Sequence, residues 1–177
     1  MTLPGVSRRT LLIGGGAGVG LIVAFFAWPR QEASPLRAGA KEWVIGPFLR
    51  IALDGQVTLA VPQIETGQGI WTGLAQIAAD ELGAAWESMA VEPSPAGADY
   101  TNKLIAHDFG VTTRITAGST SVRAFEQPLG EAAAMARAML CEAAAHRWRV
   151  DPAECETNGG FVTHEGKRVG FGEVAEA

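Results

Sequence analysis

The hydrophobic and polar positions of this chain change rhythm several times, and each change marks a boundary. Leu49 to Pro62, LRIALDGQVTLAVP, alternates apolar and polar residues on both sides of Asp54-Gly55. A period of two is the signature of a strand with one buried face, and Asp-Gly between two such runs is a strong hairpin signal. Two antiparallel strands joined by a two-residue turn are therefore expected. The rhythm then gives way to a polar, glycine-bearing loop from Ile64 to Gly69. From Trp71 to Leu82 the apolar residues Leu74, Ile77, Ala78 and Leu82 keep the three-to-four spacing of one helix face, and Gly83 supplies the stop.

Met89 to Pro93 reads as a short strand closed by proline, which has no N–H to give to a ladder. Ser94 to Thr116 shows no clean period and is expected to be a long irregular loop. Ser119 to Trp148, rich in alanine, methionine, leucine and arginine, predicts a helix of three turns or more. Pro128 is expected either in a first turn or between two helices. Beyond Pro152, residues 158–169 read as a second hairpin turning at Glu165-Gly166, and residues 171–177 as the opening of another helix. That helix has no cap or stop, so the polypeptide is expected to have been cut short. The sum is an α+β fold of two β-hairpins with two or three helices.

The first forty residues follow another logic. Ser7-Arg8-Arg9-Thr10 directly precedes an uncharged apolar run, Leu11 to Trp28, that contains five glycines. This is the layout of a twin-arginine export signal, and the glycines make the run too weakly hydrophobic for a firm anchor. Pro29, Pro35 and Ala38-Gly39-Ala40 form a linker with an A-x-A cleavage site. An ordinary membrane anchor with basic flanks is the alternative, and it leaves the body in the same compartment. Residues 1–40 are thus expected to be a signal or anchor with its linker, and residues 41–177 the exported body. The expected location is the periplasm or the periplasmic face of the inner membrane. Because the twin-arginine translocase carries folded proteins, the signal favours a cofactor-dependent enzyme or partner.

Charge and cysteine content narrow the function. Three of the 14 Lys+Arg residues (Arg8, Arg9 and Arg30) lie in the first thirty positions, so the body sets 11 basic against 19 acidic groups. An acidic body argues against nucleic acid as a partner. Cys141 and Cys155 form no CxxC pair, and two buried structural thiols fit better than a disulfide. His107, His146 and His164 share no metal-ligand spacing, so no metal site is expected. No nucleophile elbow, P-loop or HExxH motif occurs, and no catalytic residue is assigned within the chain.

Two glycine-centred runs remain as candidate binding elements. Glu65-Thr66-Gly67-Gln68-Gly69-Ile70-Trp71-Thr72-Gly73 follows a strand and opens a helix, so its N–H groups can converge on an anion. As a dinucleotide fingerprint it fails, because the third glycine falls one place late and no acid follows about 20 residues on after a second parallel strand. Thr116-Ala117-Gly118-Ser119-Thr120-Ser121 precedes the long helix and sets three hydroxyls beside a glycine, chemistry suited to phosphate or a pterin edge. Simple capping by Ser119 or Thr120 explains the same run.

Taken together, residues 61–96, the run TAGSTSVR with its alanine-rich helix, and residues 146–177 resemble the start of the isoquinoline 1-oxidoreductase beta-subunit family. These are molybdopterin-binding large subunits related to xanthine dehydrogenase and aldehyde oxidase. The resemblance runs from about Phe48 to the last residue and implies an incomplete molybdopterin-binding domain. It further implies molybdenum on a molybdopterin cytosine dinucleotide, shared with the remainder of the large subunit. It also implies electron transfer to a small partner subunit with 2Fe-2S clusters, and hydroxylation of aldehydes or N-heteroaromatic compounds with oxygen from water. By the same resemblance Gly67, Gln68 and Gly69 match a cofactor-binding loop whose glutamine, here Gln68, approaches the molybdenum ligands, and Gly118, Ser119, Thr120 and Ser121 contact the cofactor. The family's glutamate base lies outside the stretch matched, so this chain alone is expected to be inactive. Thr66 stands where the family often has methionine. An exported binding or interaction module without a cofactor, or a fragment without activity of its own, is the alternative.

Overall fold

The computed structural model describes residues 36–110 and 112–176. The paired arginines and the apolar run lie outside the described residues. Among the described residues no helix is long and apolar enough to cross a membrane.

Four short strands form the first sheet in the order β1-β2-β3-β4: β1 is Glu42–Ile45, β2 Leu49–Ala52, β3 Val57–Val61 and β4 Met89–Pro93. The expected hairpin is present, with Leu49 opposite Leu59 and Ile51 opposite Val57. Its turn is one residue longer than the sequence suggests. Ala52 N–H donates to Gln56 O, Gly55 N–H donates to Ala52 O, and Gly55 sits at φ 89°. The connection is therefore a three-residue loop, Leu53-Asp54-Gly55, closed by a left-handed glycine. The Asp54 carboxylate secures it by accepting from Gln56 N–H at 3.0 Å.

Helix α1, Ile70–Leu82, returns the chain so that β4 pairs parallel to β3. All five residues of β3 are buried, as a strand between two others and under a crossover helix requires. The parallel pairing corrects the expectation that no acid follows about 20 residues on after a second parallel strand: Glu92 lies on β4, ion-paired with Arg50. The glycine spacing still departs from the dinucleotide fingerprint. Gly83 ends α1 at φ 73°, where left-handed backbone favours glycine.

The stretch 94–116 is more ordered than its lack of period suggests. It holds a 3-10 turn at Ala98–Tyr100 and the helix α2, Lys103–Phe109. Asn102 caps α2 by accepting from Ile105 N–H, and the fully buried Tyr100 hydroxyl donates to Pro47 O. These side-chain bonds, invisible to a periodicity reading, organise the segment.

Helix α3, Ser121–Trp148, runs unbroken for 28 residues, or about 42 Å at 1.5 Å per residue. Pro128 neither starts it nor divides it, although its missing N–H leaves the Ala124 carbonyl without its helical donor. Phe125, Leu129, Ala132, Ala133, Ala136, Leu140 and Ala144 form one buried stripe. The small alanines let α1 approach closely through Ala75, Ala78 and Leu82. Arg137 on α3 donates to the Glu81 carbonyl at 2.8 Å and pairs with its carboxylate at 2.7 Å.

The second sheet is β5-β6-β7: β5 is Glu156–Asn158, β6 Phe161–His164 and β7 Lys167–Gly170. The turn at Glu165-Gly166 is present, with φ 44° and 82°. The sequence reading missed β5, although Gly159-Gly160, at φ 57° and 82°, is itself a two-residue hairpin signal. Helix α4, Phe171–Ala175, follows. Cys141 and Cys155 are free and buried; burial raises both thiols above their ordinary value, and Cys141 Sγ donates to Cys155 O. Among the described residues four α-helices and two small sheets make the fold α+β.

Candidate functional site

The two glycine runs meet. Ile64 N–H donates to the Thr116 hydroxyl at 2.9 Å, across 52 positions of sequence. Ser121 Oγ donates to Gln63 Oε1 at 2.7 Å, across 58 positions. Gln63 is buried, and its Nε2 donates to Pro62 O while its carbonyl accepts from Trp71 Nε1 at 2.8 Å. The end of β3, the start of α1 and the start of α3 are thereby fastened into one corner.

Gly67 and Gly69 sit at φ 98° and 76°, so the loop needs glycine there. A Cβ at either would meet nothing within 4 Å, so both face open space. The loop does gather N–H groups around an anion, but the anion is its own. The Glu65 carboxylate accepts from Gly67 N–H at 2.8 Å, Gly69 N–H at 2.9 Å and Trp71 N–H at 3.1 Å. The N–H groups of Gly69 and Trp71 pull Glu65 below its ordinary carboxylate value, desolvation opposes them, and Gly67 and Ile70 add to the lowering. Backbone donors that the sequence suggested for a bound anion are already engaged.

Gln68 is exposed, yet its amide turns back into the loop. Nε2 donates to Ile64 O at 2.7 Å, and Oε1 accepts from Thr66 N–H at 2.6 Å and from Thr66 Oγ1 at 2.7 Å. Of its hydrogen-bonding capacity, one N–H is left over.

In the second run Gly118 and Ser119 lie in the left-handed region, at φ 64° and 53°. Ser119 is exposed, whereas Ser121 spends its proton on Gln63 and keeps only lone pairs. Thr120 holds the cap position of α3 without capping it. It is buried, and its hydroxyl donates to Ala117 O at 2.7 Å while accepting from Asn102 Nδ2 at 2.8 Å. Asn102 also donates to Ile115 O at 3.1 Å, so every polar atom of this knot is satisfied. Thr120 therefore braces the run, its hydroxyl engaged on both sides.

Among the described residues no three of His, Cys, Asp or Glu gather to hold a metal ion. His107 meets only Asp108 on the surface, and His164 stacks on Trp148 in the second sheet. The corner offers neutral donors and open glycine backbone. That donor set fits the organic part of a cofactor and supplies no metal ligands. Gln63 and Asn102 are residues that sequence reasoning passed over, and the bonding roles of Glu65 and Thr66 were not foreseen either. Only Glu65 left a trace, as an acid two and four positions before glycines whose N–H groups it takes.

Comparison with known proteins places this corner in context. The molybdopterin cofactor-binding domain family matches residues 16–177. Isoquinoline 1-oxidoreductase subunit beta of Brevundimonas diminuta is 32% identical over 165 residues, covering 92% of this chain and 20% of that protein. The membrane-bound aldehyde dehydrogenase (pyrroloquinoline-quinone) of Gluconacetobacter polyoxogenes is 29% identical over 124 residues, 70% of this chain and 15% of that one. Among solved structures, quinoline 2-oxidoreductase from Pseudomonas putida 86 superposes with a TM-score of 0.54 at 25% identity, over 72% of this chain and 15% of its own. The Cu,Mo-CO dehydrogenase in its carbon monoxide reduced state gives 0.53 at 25% identity, over 71% and 15%. The chain thus spans a fifth or less of the length of each relative. The family match over almost the whole chain establishes that it belongs to the molybdopterin cofactor-binding domain family.

Proposed function

We propose that this chain is the N-terminal portion of the large subunit of an exported molybdenum hydroxylase that oxidises aldehydes or N-heteroaromatic compounds. The observation that carries the reading is the joining of the two glycine runs into one open corner through Ile64–Thr116 and Gln63–Ser121. Gly67, Gly69 and Gly118 let a flat cofactor approach the backbone, and Gln68 and Ser119 offer it hydrogen-bond donors. Ser121 and Thr120 hold the second run against the first. The bound group, molybdopterin cytosine dinucleotide with molybdenum, supplies the redox chemistry. The remainder of the large subunit supplies the general base and closes the site, and a 2Fe-2S small subunit takes the electrons. The twin-arginine translocase carries the folded assembly to the periplasm.

A second reading has an observation of its own. Glu65 and Gln68 satisfy the first loop internally, as expected of an exported binding module that holds no cofactor. Native protein purified from the envelope fraction separates the two. Molybdenum by elemental analysis, together with a larger complementary chain and an iron–sulfur subunit by intact mass, supports the hydroxylase. A lone chain without molybdenum sinks it. In the loaded complex, Gln68→Ala should lower turnover at least tenfold while the melting temperature holds.

A further inference from the structure

We infer that Thr66 is a positioning residue for Gln68, fixing the side-chain amide in one orientation so that a single N–H is what the loop presents. The consequence for a bound cofactor rests on the reading proposed above, whereas the positioning itself does not.

An amide side chain has two donors on nitrogen and two lone pairs on oxygen, and its ends exchange by a half-turn of the last side-chain bond. Three neighbours of Gln68 oppose that exchange. The Ile64 carbonyl can only accept, and it faces Nε2 at 2.7 Å. The Thr66 backbone N–H can only donate, and it faces Oε1 at 2.6 Å. The Thr66 hydroxyl reaches the same oxygen at 2.7 Å. In the exchanged orientation, nitrogen would confront an N–H and oxygen would confront a carbonyl. Both lone pairs of Oε1 are thus filled, one proton of Nε2 is spent, and one N–H remains.

The loop is exposed, so water competes for each of these bonds and none dominates. Glu65 holds the surrounding backbone through Gly67, Gly69 and Trp71, and this keeps Thr66 and Gln68 within reach of each other. The hydroxyl is the component that a change of residue removes. Valine at this position keeps the backbone N–H contact and the side-chain shape but forfeits the second donor to Oε1. Serine keeps that donor. If the Thr66 hydroxyl were only solvated, the Gln68 amide would behave the same way in the natural chain and in both variants, so the contrast isolates the contact.

The test is nuclear magnetic resonance on the full chain labelled with 15N, with the Gln68 amide assigned by its disappearance in Gln68→Glu. In the natural chain one Nε2 proton should exchange with water more slowly than the other. Thr66→Val should reduce that protection about fivefold, the factor for a hydrogen bond worth about 1 kcal/mol, and Thr66→Ser should restore it. The melting temperature should hold in both variants because Thr66 is exposed. Equal protection in the natural chain and Thr66→Val, or failure of serine to restore it, overturns the proposal. No cofactor is needed for this measurement. Absence of molybdenum in the purified complex would therefore remove the hydroxylase reading and leave this result standing, and the reverse holds equally.

Discussion

Glu65 concentrates most of the site's electrostatics in one carboxylate. Its three N–H partners favour the charged form, so its folded pKa lies below the ordinary 4.5. A carboxylate depressed in this way stabilises the loop fully above its unfolded value and loses that contribution as pH falls through the folded value. Amide exchange at Gly67, Gly69 and Trp71, referenced to residues in α1, should therefore show constant protection above pH 4.5 and falling protection below it. Glu65→Gln should remove the pH dependence, and protection that stays level down to pH 2 would refute the assignment. The glycines of this loop were legible in the sequence because positive φ selects glycine by sterics. The bonds of Glu65, Thr66 and Gln68 were not, because a bond from a side chain to a group two to six residues away depends on a loop path that residue types do not fix. Thr120 shows the same limit from the other side. Its hydroxyl looked available beside Gly118, but it donates to Ala117 O and accepts from Asn102, the residue that caps α2.

Periodicity served the elements well wherever one face is buried for long enough. It located the β2–β3 hairpin, α1, α3 and the β6–β7 hairpin, and it overlooked β1, β5 and α2. Those three have four, three and seven residues, too few for a period to declare itself, and β5 has no buried residue at all. Pro128 was misjudged because a proline costs a helix about 3 kcal/mol, an argument for a break that holds only without compensation. Here the buried stripe of α3 continues on both sides of it. The position most sensitive to close packing between elements is Gly172 on α4. A Cβ there would come within 2.2 Å of Leu53 O and 2.5 Å of Ala52 O, both backbone atoms of the β2–β3 hairpin. Gly172→Ala must push α4 off that hairpin and should cost about 1–3 kcal/mol. Chemical denaturation should show the midpoint fall with an unchanged slope, and an unchanged midpoint would mean that α4 is not seated against the hairpin.

At the scale of the molecule, the order of the three sequence blocks was enough to place the chain in its family, because homology needs no contacts. The meeting of the two glycine runs was not visible, since it depends on contacts across 52 and 58 positions that only the β3-α1-β4 crossover and the start of α3 create. That meeting also gathers exposed apolar side chains. Ile64 and Ile115 flank the bond between Ile64 and Thr116, Val122 follows Ser121, and Phe109 lies one helical turn beyond Ile105, which packs toward Gly118. Ile64 and Phe109 are 63% and 71% exposed, a large apolar surface for one corner of a small protein. On the function proposed above, this surface is where the remainder of the large subunit would cover the cofactor. A double substitution, Phe109→Asp with Ile115→Asp, puts charge on that face and removes no core contact. The melting temperature of the chain itself should hold, because surface changes away from packed sites stay within about 0.5 kcal/mol. Co-purification of the complementary chain, and with it retention of molybdenum, should fall at least tenfold, because each buried aspartate would lose its water without gaining a partner. If the complex forms undiminished, the joined glycine runs face solvent in the assembly, and the cofactor must be sought against another surface of the chain.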